Sequence, residues 1–587
     1  MTGNELLWPG GQRTGNLDCE SAAEDLELNR LGALLLQGMS GTEALAFLNP
    51  IITDDWDSIK MRQAVISDML HFPPLTDAFT QLCILAEEMS FYRRGLRENA
   101  AGLGIDRMDA VIDGIKKKFS GFEKLVSKQG ADEMEKLSAN TRYAQLLKSV
   151  LFMYELVKRY TEAMTLLRDT LAGIPVASCA LQSLKTWAEK QYKRDDINAI
   201  TNKLTEIQSW WKGIGAFAID VCMDGRMMIN SLEVAEIRHE PYAKNGILDG
   251  DPQEAREGIT NLIQFPQNGS GAVFQAYLQN EVGFEARKEL TRLRSEIKWK
   301  LSGQDDLISL KDALRFYIAA SDMAARLIKR SVPVCAPDRS DFAILDIKDA
   351  VSPEMVLTGP VLPVANDIYL GAEGYINLVT GPNNSGKTCY IILAGQLIWL
   401  AQLGCLLPCS SASIKPCDSL LTLFNAGESE EGDDSRMGME VLKLKAITER
   451  MTARSLALFN EPMTGTSAGE GISICIDLIL ELIDKKVSGM MVTHFGDIYA
   501  PLAKRLEQAG LFSRLQSLVL SSEKSGNDIE YLYKIINAPP MKSSYARAVI
   551  GKLGVTLDNM LSRMDDLGMD IRPDDPAWDM IRRGEVL

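Results

Sequence analysis

Apolar positions make the first division of the chain. From about residue 21 to 210 they recur at intervals of three and four, as in LNRLGALLLQGM, MRQAVISDMLHF, AQLLKSVLFMYELVKRYTEAMTLLRDTL and IPVASCALQSLKTWAEKQY. That spacing predicts amphipathic helices packed on one another. Residues 215–240, GAFAIDVCMDGRMMINSLEVAEIRHE, break the rhythm with an irregular alternation, and Asp224-Gly225 is a turn signal between two β-prone runs. A small hairpin is therefore expected among the helices. Residues 241–270 are turn-rich, with AKNGILDGDP and FPQNGSG. Helical spacing returns from about 272 to 332 as two long amphipathic helices around a break at Ser302-Gly303, and Pro333 and Pro337 mark a boundary. Beyond about residue 340, apolar runs alternate with helical stretches: FAILDI, INLVT, a helix at 389–407, LLTLF, a helix at 437–453, SLALFN, a helix at 470–485, GMMVTH, LQSLVLS and IEYLYKII. This order predicts a mostly parallel sheet covered by helices, with a β-rich edge.

Two stretches need separate treatment. Residues 1–20 carry Gly, Asn and Pro and read as a loose tail. YIILAGQLIWLAQLGCLLP, Tyr390 to Pro408, approaches the length of a membrane span, but Gln396 and Gln402 interrupt it. A buried helix of an α/β domain is expected there, with no membrane as partner.

Length and composition add bounds. A chain of 587 residues suggests three or four domains. A formal net charge of −16 excludes a generally basic nucleic-acid coat and leaves room for a local basic groove. The N-terminus, MTGNELLWPGGQRTG, lacks the basic start and apolar core of a signal peptide, so a cytoplasmic location with reduced thiols is expected. Cys405, Cys409 and Cys417 cluster, but their spacing is not that of a zinc site.

Candidate chemistry lies in the last third. GPNNSGKT follows the apolar strand INLVT and opens a helix. In that context Gly381, Pro382, Asn383, Asn384, Ser385, Gly386, Lys387 and Thr388 fit a phosphate-binding loop. Glycine lets backbone N–H groups curl toward phosphate oxygens, and the helix N-terminus adds partial positive charge. Lys387 is expected to reach the β- and γ-phosphates and Thr388 to ligate Mg²⁺, making ATP and Mg²⁺ the implied cofactors. About 70 residues on, the strand SLALFN ends in Asn460-Glu461. Glu461 is positioned to orient and polarise the attacking water, while Asn460 can accept a hydrogen bond from a Mg²⁺-bound water without bringing charge. His494 ends another apolar run after Thr493, at a strand's C-terminal end, where a neutral imidazole can sense the γ-phosphate. Elsewhere, Arg287, Lys288, Arg292, Arg294, Lys298 and Lys300 crowd one helix. They read either as a solvated face paired with Glu285, Glu289 and Glu296, or as a surface for a DNA backbone.

Taken together, GPNNSGKT, NEPMTGTSAGEG, THFGDI, YLYKI and SSYARAVIGKLG resemble the MutS family of DNA mismatch-repair ATPases, densest from about 366 to 554. Asn366-Asp367 precedes the phosphate loop as in that family, and LNPIITDDWDSIKMRQAVISDML is similar to its core-domain entry through Pro50, Ile59, Arg62 and Gln63. ESEEGDDSRMGMEV occupies the place of the signature loop and retains Ser435 and Glu440. The resemblance implies a helical core and lever region followed by an α/β P-loop ATPase domain of ABC type. It divides the chain into a tail at 1–20, a helical core and lever at 21–335 with a possible clamp, an ATPase domain at 336–560 and a C-terminal tail at 561–587. It also implies a homodimer through the ATPase domains, with Ser435 contacting the partner's nucleotide, and double-stranded or branched DNA as partner. ATP binding and slow hydrolysis would close a dimeric clamp on DNA. The alternative is a nucleotide-gated scaffold without DNA.

The departures are specific. Only about 20–40 residues precede the helical core, and no Phe-x-Glu occurs in them, so mismatch recognition by an aromatic wedge is not expected. No nuclease domain is expected after residue 554. Ser352-Pro353 stands where His-Pro is usual, Glu470 replaces a loop Asp, and Asn460 replaces an Asp. Losing that carboxylate costs roughly 1–3 kcal/mol, or about one to two orders of magnitude in rate or Mg²⁺ affinity. Hydrolysis is expected to be slow rather than absent.

Overall fold

The computed structural model describes residues 21–102, 133–212, 216–223, 229–238, 303–424, 433–525 and 528–540, with Leu7, residues 17–19, Gly225 and Leu301. The chain forms two compact units, one of Met1–Gly11 and His71–Ile318, the other of Gln12–Leu70 and Ala319–Leu587. Helices α1 (Leu28–Leu35), α2 (Gly41–Leu48) and most of α3 (Trp56–His71) thus belong to the same unit as the α/β half. Ser40 and Glu43 begin α2 with reciprocal side-chain-to-backbone bonds, which also hold the Glu43 carboxyl below its usual range.

The first unit is helical. Its members are α4 (Pro73–Gly102), α5 (Glu133–Ala172), α6 (Cys179–Arg194), α7 (Ile197–Lys212) and the start of α8 (Gln304–Lys329). Leu82 and Met89 of α4, Ala163 and Leu167 of α5, Leu184 of α6 and Leu310 of α8 line one apolar core. The Tyr160 hydroxyl donates to Asp195 at 2.6 Å, fixing α5 to the end of α6. An antiparallel hairpin of β1 (Ala216–Met223) and β2 (Ile229–Arg238) follows α7. The basic residues Arg287, Lys288, Arg292, Arg294, Lys298 and Lys300 lie outside the described residues.

The second unit carries two sheets. Strands β3 (Asp338–Arg339), β4 (Ala343–Ala350), β5 (Asn366–Gly371) and β7 (Ser411–Ile414) form a mixed sheet in the order β3-β7-β4-β5. The short helix α9 (Pro353–Thr358) lies between β4 and β5 in the chain. The larger sheet has β6 (Ile376–Thr380), β8 (Leu420–Phe424), β9 (Leu456–Asn460), β10 (Ser488–Val492), β11 (Leu515–Ser525) and β12 (Asp528–Asn537) in the order β12-β11-β6-β10-β9-β8. Only β12 runs antiparallel to its neighbour. Its inner strands are almost continuously apolar because both faces are covered. On one face, α12 (Ala468–Asp484) and α13 (Tyr499–Gln508) bring Cys475, Ile479, Leu482 and Leu502 against Leu378, Phe459 and Met491.

The other face holds α10 (Lys387–Leu403), which is buried nearly all round. The glutamines that interrupt its apolar run have specific partners. Gln396 donates to the Leu26 carbonyl at 3.0 Å, and Gln402 bridges the carbonyl and amide of Cys417 at 2.9 and 3.1 Å. Each satisfies a backbone group that burial would otherwise strand. Among the described residues no helix is long and apolar enough to cross a membrane. Residues 17–19, within the expected tail, carry buried Leu17 and Cys19, and Asp18 bridges the free edge of β8 at Ser419.

Candidate nucleotide site

The site grows from the end of β6. All five residues of that strand are buried, so the chain leaves the sheet in a fixed direction and turns through Gly381–Gly386 into α10. Gly381 and Gly386 adopt φ of 149° and 95°, and Asn384 takes 62°, the left-handed backbone that such a loop needs. Lys387, the first residue of α10, is only 5% exposed and folds back over the loop. Its ammonium donates to the carbonyls of Gly381 and Pro382, each at 3.0 Å, and reaches Asn383 Oδ1 at 3.4 Å. Burial pushes the Lys387 pKa down, and Glu461 opposes the shift. The Ser385 hydroxyl is buried without a hydrogen-bond partner in the loop.

Strand β9 brings in the second group. Thr388 Oγ1 lies 3.4 Å from Asn460 Oδ1, and Lys387 Nζ lies 4.0 Å from Glu461 Oε1. The parallel pairing of β6, β10 and β9 causes this meeting, because it aligns their C-terminal ends at one mouth. His494 follows β10 by two residues and stands at the same mouth, its Nδ1 4.0 Å from Glu461 Oε2. Its turn is fixed by Thr493, which is buried and accepts from the Phe495 amide at 3.0 Å.

Glu461 itself adopts φ 51°, as does Met463 at 61°, so the chain turns sharply as it leaves β9. That turn is held from α11 (Asp433–Arg450), where buried Glu440 accepts from the Met463 amide at 2.7 Å. Ser435 falls in the first turn of the same helix. Glu470 accepts from Thr466 and Ser467, both at 2.9 Å, which lowers its pKa and closes the loop onto the start of α12. Glu440→Ala is expected to cost about 1–3 kcal/mol of stability and to speed amide exchange at Met463, whereas Glu440→Gln keeps an acceptor and should lose less. Urea unfolding and residue-resolved hydrogen exchange check this. Unchanged protection of Met463 in the alanine variant would remove Glu440 from the role.

Together the loop and strand ends border an open cleft of about 930 Å³. One side is the loop, Thr388 and Glu461; the other is apolar, with Met355, Val361, Leu362, Val364 and Tyr533. The Asn366 side chain fixes that wall by donating to the carbonyls of Val364 and Tyr533 at 3.2 and 2.9 Å and accepting from the Ile535 amide at 2.8 Å. Sequence reasoning located Asn366 and missed the wall. Its signal was GPVLPVAND, where apolar residues recur in a stretch that its glycine and prolines keep out of the core.

Among the described residues no cluster of three or more His, Cys, Asp or Glu gathers to hold a metal by itself. The Thr388 and Asn460 oxygens do suit a hard cation that takes the rest of its shell from phosphate and water.

The fold and the cleft define a class, an α/β domain with a polar loop and an acid at its strand ends, preceded by helices. Comparison with known proteins narrows it. Residues 377–561 match the family model of MutS domain V. The DNA mismatch repair protein MutS of Parabacteroides distasonis is 28% identical over 289 residues, covering 44% of this chain and 32% of that protein. That of Carboxydothermus hydrogenoformans is 27% identical over 312 residues, covering 51% and 35%. That of Caldanaerobacter subterraneus subsp. tengcongensis is 31% identical over 175 residues, covering 30% and 19%. Residues 377–561 thus resemble MutS domain V, and the chain spans about a third or less of the length of these relatives.

Proposed function

We propose that the chain is a MutS-type ATPase of ABC architecture that binds ATP in this cleft, hydrolyses it slowly and uses the cycle to close a dimer on DNA. The observation that carries the reading is the meeting of Thr388 with Asn460 and of Lys387 with Glu461, pairs more than 70 residues apart in the chain. The apolar wall at Val361, Leu362 and Val364 suits the base. The loop amides and Lys387 take the phosphates, with Lys387 exchanging its carbonyl partners for phosphate oxygens. Mg²⁺, held by Thr388 and through water by Asn460, would neutralise charge on the β- and γ-phosphates. Glu461 orients and polarises the attacking water, and His494 senses the γ-phosphate. Ser435, at the start of α11, serves the partner subunit's nucleotide.

The DNA part of the reading rests on the relatives, each named a DNA mismatch repair protein. A second reading, a nucleotide-gated scaffold without DNA, is favoured by the net charge of −16 and by Asn460. Fluorescence anisotropy with duplex and branched DNA separates them. A DNA-directed ATPase should bind at low salt, lose affinity steeply between roughly 50 and 200 mM salt, and change its ATP turnover when DNA is added. Absence of DNA binding at low salt, alongside retained ATP binding, would leave the scaffold reading.

A further inference from the structure

Two thiols outside the nucleotide cleft lie in contact. Cys335, between α8 and β3, and Cys409, between α10 and β7, have their sulfurs 3.1 Å apart although 74 residues separate them. The backbone holds them there. The Cys335 amide donates to the Leu407 carbonyl at 2.9 Å, the Leu407 amide donates back to the Cys335 carbonyl at 2.8 Å, and the Cys409 amide donates to Leu407 O at 2.9 Å. The contact therefore does not depend on two mobile side chains finding each other. It also joins two connections in the same compact unit.

The two sulfurs differ. Cys335 is partly exposed and Cys409 is buried. The Cys335 pKa is lowered, chiefly by its hydrogen-bond contact with Cys409, with burial and Asp338 opposing and Lys60 assisting. Lys60 is anchored beside it, donating to the Pro337 carbonyl at 2.9 Å and to Asp338 at 3.1 Å. Cys409 is shifted the other way by that same contact, by burial and by the charge of Asp349. Elsewhere burial pushes Cys405 and Cys475 up to about 12, as expected of inert core thiols.

We propose that Cys335 and Cys409 form a reversible oxidation site, with Cys335 the attacking sulfur and Cys409 the resolving one, closing to an intrachain disulfide in the presence of hydrogen peroxide. In the first step the Cys335 thiolate attacks one peroxide oxygen. An S–O bond forms, the O–O bond breaks, and the hydroxide released takes up a proton to leave as water. In the second, the Cys409 sulfur attacks the Cys335 sulfenic sulfur. The S–S bond forms, the S–O bond breaks, and the departing hydroxide takes the Cys409 proton as a second water. Two sulfurs thus lose one electron each, and one peroxide becomes two waters. A small dithiol reverses the reaction by thiol–disulfide exchange.

The inference does not rest on nucleotide binding, and its test does not use turnover. The full chain is treated with hydrogen peroxide, its free thiols are alkylated, and its peptides are mapped by mass spectrometry. The expected result is a linked Cys335–Cys409 peptide lighter by two hydrogens, loss of alkylation at both positions, and recovery after dithiothreitol. Cys409→Ser should leave Cys335 as a sulfenic acid trapped by dimedone, whereas Cys335→Ser should leave Cys409 alkylatable and without dimedone adduct. The proposal is overturned if both thiols stay alkylatable under peroxide that oxidises exposed Cys179 or Cys389. It is equally overturned if Cys335 is found linked to another cysteine.

Discussion

Glu461→Gln is expected to lower ATP turnover by about 10²–10⁴-fold while leaving ATP affinity within a few-fold of the unaltered chain. The carboxylate stands at the strand-end mouth, 4.0 Å from both Lys387 Nζ and His494 Nδ1. Glutamine has nearly the same shape, so the left-handed turn at φ 51° and the bond from the Glu461 amide to Val492 O at 2.9 Å should survive. What is lost is the basic oxygen proposed to orient and polarise the attacking water. The amide also withdraws the negative charge that opposes desolvation of Lys387, so the lysine is expected to hold its proton less firmly before nucleotide arrives. Bound phosphates would supply that charge again, which is why affinity should hardly change. Steady-state phosphate release and titration with a fluorescent ATP analogue separate the two quantities. Wild-type turnover in this variant would move the base elsewhere, with His494 the next residue to replace.

Parts of this site are readable in the sequence because they obey local rules. INLVT, LALF and GMMV are uninterrupted apolar runs, and such runs become inner strands of a sheet covered on both faces. The phosphate-loop motif sets the start of the following helix, and Gly404, in left-handed conformation at φ 86°, ends it at Leu403 where periodicity alone ran on to 407. Other features depend on contacts that no local pattern encodes. Ser411–Ile414 is only four residues long and becomes a strand because β4 pairs with it across more than 60 residues of chain. Arg62 reads from the sequence as a motif residue in a helix. Its role is tertiary, donating to the carbonyls of Ile51 and Leu403 at 2.6 and 3.1 Å, so that residues 12–70 join the α/β unit rather than the helical one. The Glu440–Met463 bond is likewise invisible beforehand, since a glutamate at a helix position reads first as a solvated one.

Asn460→Asp tests whether the departure at β9 sets the pace of the reaction. The Asn460 amide oxygen already lies 3.4 Å from Thr388 Oγ1, so an aspartate should enter the same place without rearranging the strand. The variant adds one negative charge where a divalent cation would sit. A charged partner in place of a neutral one is worth about 1–3 kcal/mol, or about 10–100-fold in Mg²⁺ affinity or turnover. An opposing effect comes from neighbouring Glu461, because two carboxylates that close repel. Lys387 Nζ, 4.0 Å from Glu461, offsets part of that repulsion. Manganese binding followed by electron paramagnetic resonance in the presence of ATP measures the cation directly, and the Mg²⁺ dependence of turnover measures its use. If Asn460→Asp tightens cation binding and speeds turnover together, the asparagine is what slows the enzyme. If neither moves, Asn460 lies outside the cation's shell.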